Sequence, residues 1–362
     1  MATPSKIVTA SKHSAKDFRE AKRDWSQRLL MPAPTPVAIM ATAPMARRAG
    51  AHAPAARTAA GRRNQNIVGV GIAEKTVDGK PTGVLAVKFF VKTKFPKSSV
   101  PARLMLPKSI DGLPVDIEES GAFRAFRRKT GRGGTADKAM PNPRERMRPA
   151  VPGCSVGFRV AGDQFVVGGT FGALVKTSRA VYILSNNHVL ADENRLKPGA
   201  PIYQPALLDD GDLDTDKIAE LTRFIRMRAN GYNRVDAAIA RPLKKTLVGK
   251  DVLHIGPPRG IATAEIDMMV HKFGRTTSYT AGRVASIETD VTVEYETGDF
   301  TFENQIIVVG TGGQFSDSGD SGSIILQRGT NKAVGLLFGG SSSHTIANHI
   351  RNVLRSLRIR MA

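Results

Sequence analysis

The stretch SDSGDSGS, Ser316 to Ser323, lies between two apolar runs, NQIIVVG before it and SIILQ after it. Gly, Asp and Ser are ordinary β-turn residues, so a tight polar turn between two strands is the simplest reading. The alternative is a nucleophilic serine, Ser321, with glycine on both sides. A residue without Cβ can aim its N–H at a developing oxyanion. The rest of the chain has to separate the two.

Around this stretch, residues 150–362 are dense in short strand candidates: QFVVGGTFGALVK, AVYILS, RVDAAIARP, AEIDMMVHKFG, RVASIETDVTVEY, NQIIVVG, SIILQ and AVGLLFGG. Gly, Asn and Asp turns separate them, a pattern that predicts an all-β sandwich or barrel pair rather than βαβ units. Only the end, TIANHIRNVLRSLRI, carries helical periodicity, with Ile346, Ile350, Val353 and Leu357 on one face.

Two more signals fall in this region. In VYILSNNHVLADEN an apolar strand runs into His188 at an Asn-Asn turn, and in NRVDAAIARP Asp236 opens an apolar run. Each has a bland reading, as a satisfied histidine and as a strand-end cap. Their order is His, Asp, Ser, at spacings of 48 and 85 residues within one β-rich region. Serine attack at neutral pH needs a base within hydrogen-bond reach, and histidine suits that task. An aspartate beside it fixes the imidazole tautomer and stabilises the imidazolium.

SNNHVL, VDAAIA and GDSGS resemble the three triad blocks of trypsin-like, chymotrypsin-fold serine peptidases. KFGRTTSYTAGRV and VGLLFGG resemble further blocks of that family's cysteine-poor bacterial branch. The segment at 66–120, with IVGVGIAEK and IDGLPVDI, resembles the leader region of that group and of its plant relatives, the narrow-leaf proteins. The resemblance implies two six-stranded antiparallel β-barrels and a serine endopeptidase that needs no cofactor or metal and acts on polypeptide. It implies His188 as general base, Asp236 as its orienting partner, Ser321 as nucleophile and the Gly319 and Ser321 amides as the oxyanion hole. Leu337, Phe338 and Gly339 would offer an edge to an extended peptide. Phe315 takes the position that lines the primary specificity pocket in the family. In some members a new amino terminus pairs with the aspartate before the nucleophile, which here would bring Val151 to Asp320.

The remainder of the chain is read from composition. Of 362 residues, 41% are hydrophobic, enough for real cores. A single cysteine, Cys154, excludes an intrachain disulfide framework. No apolar run is long enough to span a membrane, and the charged first thirty residues lack the apolar stretch of a secretory signal, which favours the cytoplasm. The formal charge of +21 is concentrated: residues 1–65 hold 12 Lys/Arg against 3 Asp/Glu, and residues 121–150 hold 9 against 2. Such segments suit solvated arms or nonspecific polyanion contact.

The expected organisation is a basic, largely disordered arm at 1–65 with an amphipathic helix within 11–30, a small α+β module at 66–120, a basic linker at 121–149, and the β-rich domain at 150–362 with its C-terminal helix. Asp210, Asp212 and Asp214 alternate in DDGDLDTDKIAEL, but Thr215 and Leu221 stand where a calcium loop needs Gly and Glu. A solvated acidic loop is the reading there. Two other function classes stay open: a protease-like scaffold that binds extended peptides, and a polyanion binder working through its basic arms.

Overall fold

The computed structural model describes residues 13–31, 65–125, 140–159 and 166–362. Most of the basic arm and the centre of the basic linker lie outside these residues. Among the described residues the chain is mostly β, with three α-helices, α1 Ala15–Leu30, α2 Asn187–Leu190 and α3 Ile350–Leu357. No helix among them is long and apolar enough to cross a membrane. The strands form one sheet of 12 and one of 8. That division differs from two sheets of six, because strands from 67–119 join the larger sheet.

Helix α1 starts where Ser14 and Asp17 complete a reciprocal capping box, which satisfies backbone donors that the first turn leaves open. Its apolar face buries Phe18, Ala21 and Leu30 against Ile67, Val70, Val87 and Phe89. Trp25 meets Phe89 edge-on at 5.5 Å. On the polar side Lys22 reaches Asp290 at 2.6 Å, so the helix is tied to the larger sheet as well.

The strands Ile67–Val77 and Lys80–Val91 form a hairpin through Asp78-Gly79, whose residues both have positive φ, as such a turn requires. Leu113–Glu119 runs parallel to Lys80–Val91. SSVPARLM, readable as helix or loop, makes two 3-10 turns, Lys97–Ser99 and Ala102–Leu104. Ile67–Val77 also pairs with the 17-residue strand Ser278–Glu294, so this region and the β-rich domain share one sheet.

The smaller sheet carries Val181–Ser185 beside Ala238–Pro242, with Ala238 opposite Ser185. Behind it lies a core containing Val156, Phe158, Phe171, Ile183, Ile202 and Ile218. The larger sheet carries Met269–Gly274, Ile324–Gln327, Ala333–Gly340 and Thr345–His349. A second core, with Val175, Leu184, Ile239, Phe273, Ile324 and Leu336, joins residues from both sheets. Ile346 departs from the expected helical face. It pairs opposite Ile307 in the strand Thr345–His349, and the helix begins only at Ile350. A spacing of four residues fits either a helix face or one side of a strand, so periodicity alone could not place it.

Candidate active site

Three turns meet where the two sheets face each other. The strand Val181–Ser185 ends at Asn186, and the single turn α2 presents His188. Asp236 lies two residues before Ala238–Pro242. Ser321 sits in the polar turn ahead of Ile324–Gln327. All three side chains are fully buried.

His188 Nδ1 lies 2.5 Å from Asp236 Oδ2. The same carboxylate accepts the backbone N–H of Asn187 at 2.6 Å and the hydroxyl of Tyr295 at 2.9 Å. Asn348 Oδ1 accepts the Asp236 N–H at 3.0 Å, so the larger sheet helps hold it. Burial first, and then the Asp236 charge, push the Tyr295 phenol well above its ordinary value. Tyr295 therefore remains a hydrogen-bond donor at ordinary pH. His188 Nε2 has no hydrogen-bond partner among the described residues.

Asn186 and Asn187 clamp the turn. Asn186 Nδ2 donates to the Asp236 carbonyl at 2.8 Å, and Asn187 Nδ2 donates to Asn194 Oδ1 and to the Ile225 carbonyl, each at 2.8 Å. Side-chain amides here supply bracing without a disulfide.

The serine turn is held by a second aspartate. Asp320 accepts from the backbone N–H groups of Thr276, Thr277 and Asp317, and from the Thr277 hydroxyl. Lys272 Nζ lies 3.3 Å from Asp320 Oδ2, with both side chains fully buried. Burial raises the Asp320 carboxyl, but the Lys272 charge and these hydrogen bonds outweigh it and leave the group below its ordinary value. Lys272 is lowered by burial against the opposing pull of Asp320. In the intact chain Lys272, and not Val151, is the ion-pair partner of Asp320. Ala150 bridges to Val248, and both belong to the core behind the smaller sheet.

Gly319 has φ +100°, and a methyl group on it would sit 2.4 Å from Thr276 Oγ1 and 2.6 Å from the Arg275 guanidinium. Both the backbone conformation and the space require glycine. The amides of Asp320, Gly322 and Ser323 are spent on Asp317, Leu337 and Asp320 carbonyls. Those of Gly319 and Ser321 take part in no hydrogen bond among the described residues. Such open amides at a serine turn suit stabilisation of an oxyanion.

The histidine and serine turns are linked by short steps. Thr170 N donates to the Ser321 carbonyl at 2.8 Å, and Ser185 Oγ donates to the Thr170 carbonyl at 2.8 Å. Gly169 leaves the room between them: a methyl group there would lie 2.6 Å from the Val189 methyls and 3.0 Å from the Ser321 carbonyl oxygen. The Ser321 hydroxyl itself donates to the Phe338 carbonyl at 3.3 Å.

Of the other expected residues, Leu337 and Phe338 are buried core side chains, while Gly339 sits on the paired edge of Ala333–Gly340. Phe315 is 2% exposed and packs with Val270, Val284, Val308 and Ile325, a core position. Asp212 uses its carboxylate on the turn of Asp214 and Thr215. No group of three or more His, Cys, Asp or Glu is arranged to hold a metal among the described residues. Burial pushes the Cys154 thiol up to about 12, far from a reactive thiolate.

Reading the sequence missed Lys272, Arg275 and Tyr295. Arg275, 1% exposed, pairs with Asp209 at 2.5 Å and donates its backbone N–H to Thr170 Oγ1 at 3.1 Å. The available signal was two cations within VHKFGRTT, placed in and just after the strand Met269–Gly274, which is buried from Val270 onward.

No family model and no curated protein matches this chain. Among solved structures it is similar to Thermobifida fusca Protease A, at 16% identity over 59% of this chain and 97% of that one, with a TM-score of 0.42. Cellulomonas bogoriensis chymotrypsin shows 17% identity over 59% and 97%, with a TM-score of 0.40. The Nocardiopsis protease NAPase shows 16% over 58% and 97%, with a TM-score of 0.42. Each of these three is a protease.

Proposed function

We propose that the chain is a serine endopeptidase of the trypsin-like, two-barrel kind, with its chemistry in residues 150–362 and an accessory module at 66–120. The observation that carries this reading is the buried His188–Asp236 pair, whose outer nitrogen is unpartnered, beside a serine turn with two open amides.

In this mechanism the Ser321 hydroxyl leaves the Phe338 carbonyl and turns to His188 Nε2. Its oxygen attacks the peptide carbonyl as its proton passes to Nε2. Asp236 stabilises the imidazolium that forms. The carbonyl oxygen, now an oxyanion, takes hydrogen bonds from the Gly319 and Ser321 amides, each typically contributing about 3 kcal/mol. His188 returns the proton to the leaving amine, the C–N bond breaks, and an acyl-enzyme on Ser321 remains. Water then repeats the sequence and releases the acid. Lys272 keeps the turn in shape throughout, so no new amino terminus is needed.

Peptide-library hydrolysis tests the proposal. Wild type is expected to cleave internal bonds, while Ser321→Ala, His188→Ala and Asp236→Asn proteins of unchanged fold are not. Equal cleavage by all four would reject it.

One observation favours a second reading, a peptide-binding scaffold. The triad side chains are fully buried and Ser321 is hydrogen-bonded to a carbonyl, not to His188. Peptide binding without turnover in wild type would select it. The basic segments add a proposed nonspecific polyanion contact, read out as salt-sensitive retention on nucleic acid.

A further inference from the structure

The peptide edge expected at Leu337–Gly339 is occupied at Gly339 by the chain itself. Arg124 and Ala125 form a short strand antiparallel to Ala333–Gly340, with Arg124 opposite Gly340 and Ala125 opposite Gly339. On its other side Arg124 pairs in parallel with Glu294, and Glu294 N donates to the Phe123 carbonyl at 2.9 Å. The segment is thus inserted between two strands of the larger sheet. Gly339 permits this approach, because a methyl group there would lie 2.6 Å from the Arg124 carbonyl oxygen.

The direction of the segment carries meaning. Passing from Arg124 to Ala125, its partner changes from Gly340 to Gly339, and the next residue of that edge is Phe338, whose carbonyl holds the Ser321 hydroxyl. The strand therefore runs N-to-C toward the nucleophile, the polarity required of the acyl side of a peptide substrate. Its register is fixed by a side chain. Phe123 is fully buried among Phe90, Tyr295, Phe302 and Phe338, and its ring lies 6.1 Å from that of Phe90. Tyr295 and Phe338 are the residues that hold Asp236 and Ser321. The anchor of this segment and the triad consequently share neighbours.

The tether leading into it is pinned as well. Glu118 accepts from His344 at 2.7 Å, Lys92 pairs with Glu294 at 3.0 Å, and Ser120 N donates to the Val91 carbonyl at 2.9 Å.

We propose that Gly121–Ala125 is a built-in pseudo-substrate, and that the site opens to an external peptide only when this strand leaves the Gly339–Gly340 edge. The external ligand is an extended peptide with an aromatic residue in the Phe123 pocket, three residues before the carbonyl that Ser321 attacks. The proposal rests on the hydrolase reading for its turnover consequences and on the strand pairing alone for its binding consequences.

The test compares full-length wild type with Phe123→Asp, which expels the anchor, and Arg124→Glu, which sets two carboxylates together at Glu294 on an exposed side chain that no core depends on. Three readouts are taken: labelling of Ser321 by a small fluorophosphonate, hydrolysis of a peptide library, and anisotropy of a fluorescent Ala-Phe-Arg-Ala peptide. Because an occupied site reduces apparent affinity by the fraction that is open, Phe123→Asp is expected to raise turnover and peptide affinity about tenfold or more, and Arg124→Glu by less. Aromatic residues are expected three positions before the attacked residue. Should Phe123→Asp fail to fold, Arg124→Glu decides by the same readouts.

Unchanged turnover and unchanged peptide affinity in the folded variants, with Ser321 still labelled, would overturn the pseudo-substrate. Absence of labelling in every protein would overturn the hydrolase reading instead. Peptide affinity would then judge the occupied edge by itself, a gain in the variants supporting it and equality refuting it.

Discussion

Two fully buried aspartates, Asp236 beside His188 and Asp320 beside Ser321, sit on opposite sides of the site and are satisfied in different ways. Asp236 is shared between the His188 imidazole and the Tyr295 phenol, which keeps its proton. Asp320 is locked to the Lys272 cation, a threonine hydroxyl and three backbone amides. The comparison separates function from framework. A carboxylate shared with an imidazole suits the proton transfer proposed for His188, whereas one locked to a buried ammonium fixes the shape of a turn.

Substitutions on the two sides should therefore fail differently. On the His188 side Asp236→Asn should lower kcat by about 10³–10⁴ with little change in KM, because the tautomer and the imidazolium are both lost. Steady-state kinetics on a peptide identified by library screening checks this. On the Ser321 side Lys272→Met leaves an unpaired buried carboxylate, so the expected loss is stability, about 3–5 kcal/mol by denaturant unfolding. If Lys272→Met lost only activity while unfolding like wild type, the division between the two aspartates would collapse.

Smaller effects sharpen the contrast. Tyr295→Phe removes one donor to the Asp236 carboxylate and should cost about 1–2 kcal/mol of transition-state stabilisation, roughly a tenfold fall in kcat/KM. Stability should change little by comparison with Lys272→Met.

The smallest effect lies outside both regions. Burial pushes the His349 imidazole down to about 4, below the ordinary value near 6.5 that an unfolded chain would have. The unfolded state then binds the proton more readily, so the neutral group's contribution to stability is complete above about pH 6.5 and is lost as pH falls toward 4. His349→Gln should flatten unfolding free energy over that window by about 2–3 kcal/mol relative to wild type. Equal slopes in the two proteins would contradict the assignment.

What the sequence made legible follows the same physical line. His188 and Asp236 stood out because each is a polar residue beside an apolar run, and Ser321 because it lies in a Gly, Asp and Ser turn between two such runs. Strand alternation and turn chemistry point to such positions. Asp78-Gly79 in the hairpin and Ser14 with Asp17 at the helix start are local signals of the same kind. Lys272 and Arg275 were not, since a buried cation is intelligible only beside its partner, and Asp320 and Asp209 lie far away in the chain. Phe315 was placed by its distance from Ser321 along the chain, and packing put its ring in the core instead. The strand at Arg124–Ala125 was hidden in a run that composition marks as a basic linker. Its partners, Glu294 and Gly339, are long-range, and no local period announces them.

The central claim is that Ser321 is a nucleophile activated by His188. The most direct measurement is fluorophosphonate labelling of the purified full-length chain, with peptide mapping of the adduct by mass spectrometry. The account expects labelling confined to Ser321, abolished in Ser321→Ala and strongly slowed in His188→Ala. Labelling at another residue, or an equal rate in His188→Ala and wild type, would contradict it.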